Sequence, residues 1–281
     1  MSTTSRPILG PVTLKVSNLA RMLAFYRTTI GLKEIRADAN HAELGTRGVP
    51  LVTLEEDPAA KLPGRSTGLY HLAILLPSRP ALGGVLQHLI NKSVPLQGVA
   101  DHLVSEAIYL ADPEGNGIEL YRDRPKEQWP YEGGQVQMST DSLDVRGLLA
   151  EADKAPRDHY ELPAGTTMGH VHLRVSDLPA AEAFYRDLLG LDLTTRFGRS
   201  ASFLSYDGYH HHIGINTWES VGAPPASNRA TGLKHFHLRV PGKERWERIE
   251  GAIKAGLLPA EKSLEGWMVR DPSGNGIVLT P

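Results

Sequence analysis

Two segments of this chain repeat each other nearly residue for residue, and that repeat limits the folds open to it. Gly10-Pro-Val-Thr-Leu-Lys-Val-Ser-Asn-Leu19, continuing to Ala24-Phe-Tyr-Arg-Thr-Thr-Ile-Gly-Leu32, returns as Gly169-His-Val-His-Leu-Arg-Val-Ser-Asp-Leu178 and Ala183-Phe-Tyr-Arg-Asp-Leu-Leu-Gly-Leu191. A second pair repeats as well, Gly68-Leu-Tyr-His-Leu-Ala-Ile-Leu-Leu-Pro77 against Gly232-Leu-Lys-His-Phe-His-Leu-Arg-Val-Pro241. It runs on to Asp112-Pro-Glu-Gly-Asn-Gly-Ile-Glu-Leu120 and Asp271-Pro-Ser-Gly-Asn-Gly-Ile-Val-Leu279. A repeated frame fixes the backbone, so the positions where copies disagree carry the functional signal. Pro11 stands against His170, and Val278 against Glu119. His and Glu are metal-ligand types, and no single copy holds all of them.

Each repeat reads as one β-α-β-β-β module. An alternating strand opens it (Val12, Leu14, Val16; Val171, Leu173, Val175), then a cap and a helix follow. Asn18 is a natural N-cap, and Gly31 and Gly190 stand where a left-handed C-terminal cap is wanted. Short strands are expected at His41–Leu44 and Leu51–Glu55, and at Ser202–Ser205 and His210–Asn216. The other two modules give strands at Leu69–Leu75 and Lys234–Val240 and helices near Pro80–Lys92 and Lys243–Ala255. Their Asp-Pro-x-Gly-Asn-Gly segments are turn chemistry, and the Asp112-Pro113 turn is read as structural. Between modules two and three runs a connector too long for a simple loop, with one short helix expected over Leu143–Ala152, capped by Asp141 or Ser142. The division is 1–125, 126–166 for the connector, and 167–281.

Bulk composition excludes several classes. Lys plus Arg at 30 against Asp plus Glu at 32 gives no basic field for nucleic acid. No apolar run approaches the roughly 20 residues of a membrane span, and Met1-Ser-Thr-Thr-Ser-Arg6 lacks the apolar core of a secretory signal. The chain has no cysteine, which removes disulfides, zinc-thiolate sites and thiol nucleophiles together. A soluble cytoplasmic protein is expected.

Module two carries a longer motif. His102 is followed by Leu-Val-Ser-Glu-Ala, Ile108, Tyr109, Leu-Ala, Asp112-Pro113-Glu-Gly115-Asn-Gly-Ile and Glu119. This resembles the signature of the extradiol, catechol 2,3-type dioxygenases, with Ala100 as the one departure. Module four fails it, with Glu261 for His102, Met268 for Tyr109 and Val278 for Glu119. The four modules together resemble the vicinal oxygen chelate superfamily, which includes glyoxalase I, the fosfomycin- and bleomycin-resistance proteins and the extradiol enzymes. The resemblance implies an α+β fold whose modules pair into two cup-shaped mixed sheets. It does not choose among the chemistries that fold hosts.

By resemblance, one metal-binding His comes from the first strand of one module, and a second His and a Glu from its pair-mate. Those positions are His170, His71 and Glu119 here, the two imidazoles and one carboxylate that iron(II) oxygenases use. His211 matches the family's acid–base histidine, with His210 and His212 expected to face away on an alternating strand. His102 and Tyr109 are expected to hydrogen-bond substrate. Pairing in sequence order breaks both triads. Pairing two with three gathers His71, His170, Glu119, His102, His211 and Tyr109 in one cup, leaves only His235 in the other, and is preferred for that reason. The implied cofactor is Fe(II), with Mn(II) able to use the same ligands. The implied partners are a small aromatic diol and O2, with homo-oligomers common in the family. His210, His212, His235 and His237 are read as ordinary histidines, and Trp129, Trp218, Trp246 and Trp267 show no stacking pattern. Two rivals stand beside the oxygenase. A glyoxalase-like isomerase would need a further carboxylate near Ile213, and a metal-free binding protein would need no metal at all.

Overall fold

The structure is a computed structural model that describes residues 7–152 and 160–281. The reading of the first six residues, and the 153–159 part of the connector, fall outside them. Module one is β1 (Leu9–Val16), α1 (Leu19–Phe25), β2 (Lys33–Ala37), β3 (His41–Thr46) and β4 (Val49–Glu56). Module two is β5 (Gly68–Leu75), α2 (Arg79–Asn91), β6 (Gly98–Asp101), β7 (Ser105–Ala111) and β8 (Gly117–Asp123). The connector adds β9 (Tyr131–Glu132), β10 (Gln135–Val136) and α3 (Val145–Ala150). Module three is β11 (Thr167–Arg174), α4 (Leu178–Ala183), β12 (Asp192–Phe197), β13 (Ala201–Ser205) and β14 (Ile213–Asn216). Module four is β15 (Gly232–Arg239), α5 (Lys243–Lys254), β16 (Ala260–Lys262), β17 (Trp267–Arg270) and β18 (Gly276–Thr280).

Local chemistry accounts for the boundaries. The Asn18 carboxamide accepts from the Arg21 N–H, the N-cap expected of it. α1 runs on into a π-turn, Tyr26–Ile30, which Gly31 ends at φ 89°. On α2, Ala81, Leu82, Val85, Leu86 and Leu89 form the buried stripe. Gly83 lets α3 close in, because a Cβ there would lie 2.4 Å from the Leu148 carbonyl oxygen. The cap of α3 differs from expectation: Asp144, not Asp141 or Ser142, accepts from the Gly147 N–H. Asp141 is engaged elsewhere, its backbone bridged to Asp101 and its carboxylate bonded to Ser139.

The modules pair crosswise into an α+β fold. One eight-stranded sheet has the order β16-β17-β18-β15-β1-β4-β3-β2, from modules four and one, and the other β12-β13-β14-β11-β5-β8-β7-β6, from modules three and two. Within each module the first strand lies parallel to the last, and the two modules of a sheet meet through an antiparallel central pair, β1 with β15 and β11 with β5. Each sheet therefore draws on both halves of the chain. One apolar cluster runs through both sheets and the helices, including Leu14, Met22, Leu54, Leu72, Leu86, Leu173, Tyr185 and Leu238. No helix among the described residues is long and apolar enough to cross a membrane.

Candidate active site

The register of the second sheet puts chemistry on one face. Across β7, β8, β5 and β11 runs the row Tyr109, Glu119, Ala73, His170. Two residues along, on the same face, Gly117, His71, His172 and Gly214 sit side by side across β8, β5, β11 and β14. Small residues separate the large polar ones. Ala73 lies between Glu119 and His170, and a Cβ on Gly214 would come within 2.9 Å of the His172 ring. A bulge at Gly169 sets His170 into this register, and Gly169 is demanded sterically, since a Cβ there would lie 1.8 Å from the Tyr121 hydroxyl.

His71, His170 and Glu119 converge. The Glu119 Oε2 lies 3.0 Å from the Nε2 of His71 and 3.0 Å from that of His170, and the two Nε2 atoms are 3.4 Å apart. Roughly 2.1 Å metal–ligand bonds put adjacent octahedral ligands about 3.0 Å apart, so these atoms are spaced like three positions on one octahedral face. All three side chains are buried. Burial pushes the His170 pKa down to about 4, leaving a neutral ring with a lone pair to give. Burial alone would raise Glu119, but the charge and hydrogen bonds of His170 and His71 outweigh it and hold the carboxyl well below its usual range. Neutral imidazoles with one carboxylate are the protonation state a divalent cation requires.

The other expected residues surround this trio. A cavity of about 620 Å³ is lined by His71, Glu119, His170, His102, Tyr109 and His211 among others. His102 Nδ1 donates to the Ser139 carbonyl at 2.6 Å, so its Nε2 accepts from the Tyr109 hydroxyl, also at 2.6 Å. Burial and then the neighbouring Glu119 raise the Tyr109 phenol well above its ordinary range, so it keeps its proton. Ser139 belongs to the connector, which thus walls the cavity with Met138, Ser139 and Thr140. The His211 ring centroid lies 4.1 Å from that of His170, and burial, then the neighbouring imidazoles, lower its pKa well below the ordinary value.

The expected strand over His210–Asn216 is corrected: β14 starts at Ile213, and the three histidines form the approach to it. The His212 N–H already bonds the Leu204 carbonyl of β13 at 2.9 Å and the ladder proper runs from Ile213, while the His210 carbonyl accepts from Thr194 Oγ1 and His212 Nδ1 accepts from the Tyr206 N–H. Of the three, His211 lines the cavity. Sequence reasoning passed over His172, whose buried Nε2 has no hydrogen-bond partner and whose ring centroid is 5.0 Å from that of His71. It also missed an aromatic wall, with Trp218 5.2 Å from Tyr70 and 5.4 Å from His172 between ring centroids. A single sequence does not reveal which loop folds over a sheet face. In the other sheet, His235 is joined by His237 and Glu265, with ligand atoms within 4.8 Å of one another, although Glu265 is 64% exposed.

Paired β-α-β-β-β modules with a polar cavity on the shared sheet define a class. The chain belongs to the Glyoxalase/Bleomycin resistance protein/Dioxygenase superfamily, whose family model matches residues 8–120 and 167–279. It is 43% identical over 269 residues to the catechol-2,3-dioxygenase of Bacillus subtilis (strain 168), covering 94% of this chain and 93% of that protein. It is 28% identical over 169 residues to biphenyl-2,3-diol 1,2-dioxygenase 3 of Rhodococcus globerulus, covering 57% of this chain and 88% of that one. Among solved structures, glyoxalase I from Zea mays superposes with a TM-score of 0.59 at 16% identity, covering 96% of this chain and 91% of that one, a likeness of fold.

Proposed function

We propose that this protein is an iron(II)-dependent extradiol dioxygenase of the catechol 2,3 type, acting in the cytoplasm. It would open a catechol-type ring beside its hydroxyls, with both atoms of O2 entering the muconic semialdehyde product. The observation that carries this reading is the meeting of His71, His170 and Glu119 at 3.0–3.4 Å on a cavity wall. Similarity over nearly the full length to a protein named for that activity supports it.

The donor set fits the metal: two imidazoles and one carboxylate, all lining the cavity, are the ligand types that would hold a non-haem iron(II) ion. Manganese(II) would accept the same three atoms. When bound, the divalent ion supplies Lewis acidity that lowers the phenol pKa and a common centre for diol and O2. The protein's own groups do the rest. His211, beside His170, takes up a hydroxyl proton and returns it later, a role suited to imidazole. Tyr109, its proton committed to His102, offers its oxygen to the remaining O–H of the diol. Phe203, Tyr70 and Trp218 give the ring an apolar bed and exclude water.

The isomerase reading has less support, because Ile213, where a further carboxylate is wanted, is a buried aliphatic residue. Anaerobic loading with Fe(II), followed by catechol and air, tests the proposal. Oxygen uptake with a yellow product is expected, and the absence of uptake by iron-loaded protein rejects it. His211→Phe should keep its iron and turn over at least a hundredfold more slowly.

A further inference from the structure

The sheet built from modules four and one carries histidines that the mechanism above does not use. The repeat superposes Gly68–Pro77 on Gly232–Pro241, so His235 stands where His71 does and His237 stands where Ala73 does. The strand register agrees. His237 sits beside Val278 across β15 and β18, as Ala73 sits beside Glu119 across β5 and β8. Two residues apart on one strand, the His235 and His237 rings face the same side, with centroids 5.5 Å apart. Gly10 makes room for them, because a Cβ there would lie 2.8 Å from that of His237.

Val278 takes away the carboxylate that Glu119 supplies in the other sheet, and a different one stands in for it. Glu265, in the turn between β16 and β17, brings its Oε2 to 3.4 Å from His237 Nε2. Ser263 shapes that turn. Its hydroxyl oxygen accepts from the Gly266 N–H at 3.1 Å, and its own N–H donates to the Gly266 carbonyl at 2.8 Å. One donor atom from each of His235, His237 and Glu265 lies within 4.8 Å of the other two. Ligands about 2.1 Å from a tetrahedral ion are about 3.4 Å apart, which is the His237–Glu265 spacing, and a small turn of the His235 ring brings it to the same centre.

The surroundings leave these donors to a cation. His235 is 8% exposed, and its buried Nδ1 has no hydrogen-bond partner among the described residues. A buried ring nitrogen that the protein does not satisfy points to a ligand from outside it. The neighbouring cationic side chains are engaged, Lys234 with Glu55 and Arg270 with the Gly274 carbonyl.

We infer that His235, His237 and Glu265 form a second metal site, separate from His71, His170 and Glu119, for a borderline divalent ion such as zinc(II). Two imidazoles and a carboxylate suit that class of ion, and a water molecule fills the fourth position. The ion ties the β16–β17 turn to β15, a central strand of its sheet. The two sites share no residue, so this inference does not rest on the dioxygenase reading.

Counting zinc in the full-length protein, saturated with zinc(II) and then desalted, tests it. His237→Ala should hold one ion per chain fewer than wild type, and equal zinc in the two proteins overturns the inference. Glu265 is 64% exposed, so Glu265→Gln changes the site without disturbing the core. Its zinc affinity at this site, measured by competition with a chromophoric chelator, should fall at least about a hundredfold. An unchanged affinity overturns the inference as well. Cobalt(II) added to Glu119→Gln reads the second site by itself and should give the strong visible absorption of a four-coordinate ion; its absence is equally fatal. None of these measurements needs turnover, so a failure of oxygen uptake defeats the dioxygenase reading and leaves the second site standing.

Discussion

The Tyr26 hydroxyl donates to Asp112 Oδ2 at 3.0 Å, one of the bonds that join the two sheets. Tyr26 lies in the π-turn after α1, packed on the first sheet, while Asp112 opens the turn between β7 and β8 of the second. Tyr185 and Asp271 repeat the bond at 3.0 Å between modules three and four. Asp112 is fully employed, with Oδ1 accepting from the Glu114 and Asn116 N–H groups and Oδ2 also accepting from the Asn116 side chain.

Removing that carboxylate should therefore weaken the join between the sheets. Asp112→Ala leaves several buried donors without acceptors and should cost roughly 3 kcal/mol. Tyr26→Phe should cost about 1 kcal/mol, and urea unfolding of the double variant should show coupling between the two changes. Additive losses would mean that the bond does not hold the sheets together.

Glu119→Gln keeps the size of the side chain and removes its charge. Iron affinity should fall at least about a hundredfold, beyond the 10–100-fold that supporting groups outside a ligand set are worth. Metal analysis after desalting, with circular dichroism to confirm folding, provides the measurement. A variant that keeps a full complement of iron removes Glu119 from the site.

Gly169→Ala tests the close approach of Tyr121 to the strand that carries His170. The new methyl would meet the Tyr121 hydroxyl at 1.8 Å, so the ring must move. An overpacked site of this kind costs about 1–3 kcal/mol, which thermal denaturation should register as several degrees. An unchanged Tm would show that the ring yields freely.

The loop that carries His102 makes its own prediction about acid. The Arg124 guanidinium bonds both Asp101 oxygens, at 2.6 and 2.7 Å, and holds that carboxyl below its usual range. A folded-state pKa below the unfolded value of about 3.9 means the pair stabilises the fold above that pH. The contribution is lost as pH falls through the lower folded value. Asp101→Asn should flatten the decline of the urea midpoint below about pH 4, and an unaltered slope would falsify the assignment.

Much of this architecture is legible from the repeats. Matching Gly10 with Gly169 and Asp112 with Asp271 locates the modules, and the broken triads at Pro11 and Val278 favour pairing two with three. Periodicity also finds α2 and α5 within a residue of their ends. What stays hidden depends on neighbours distant in sequence. Asp144 caps α3 because Asp141 is drawn to Asp101. His210 to His212 read as a strand by alternation, yet Thr194 takes the His210 carbonyl and only the His212 backbone bonds the neighbouring strands. Trp218 and His172 look unremarkable until the sheet curls and brings Tyr70 between their elements.

The sheet order also constrains how the chain is made. β5 meets β11 before β1 meets β15, so the pairings close from the inside outward, like nested brackets. On a ribosome adding roughly 5–20 residues each second, β1 waits on the order of ten seconds for its partner, with its backbone groups open along one edge. No truncated first half can assemble the three converging donors, because one of them has not yet been synthesised.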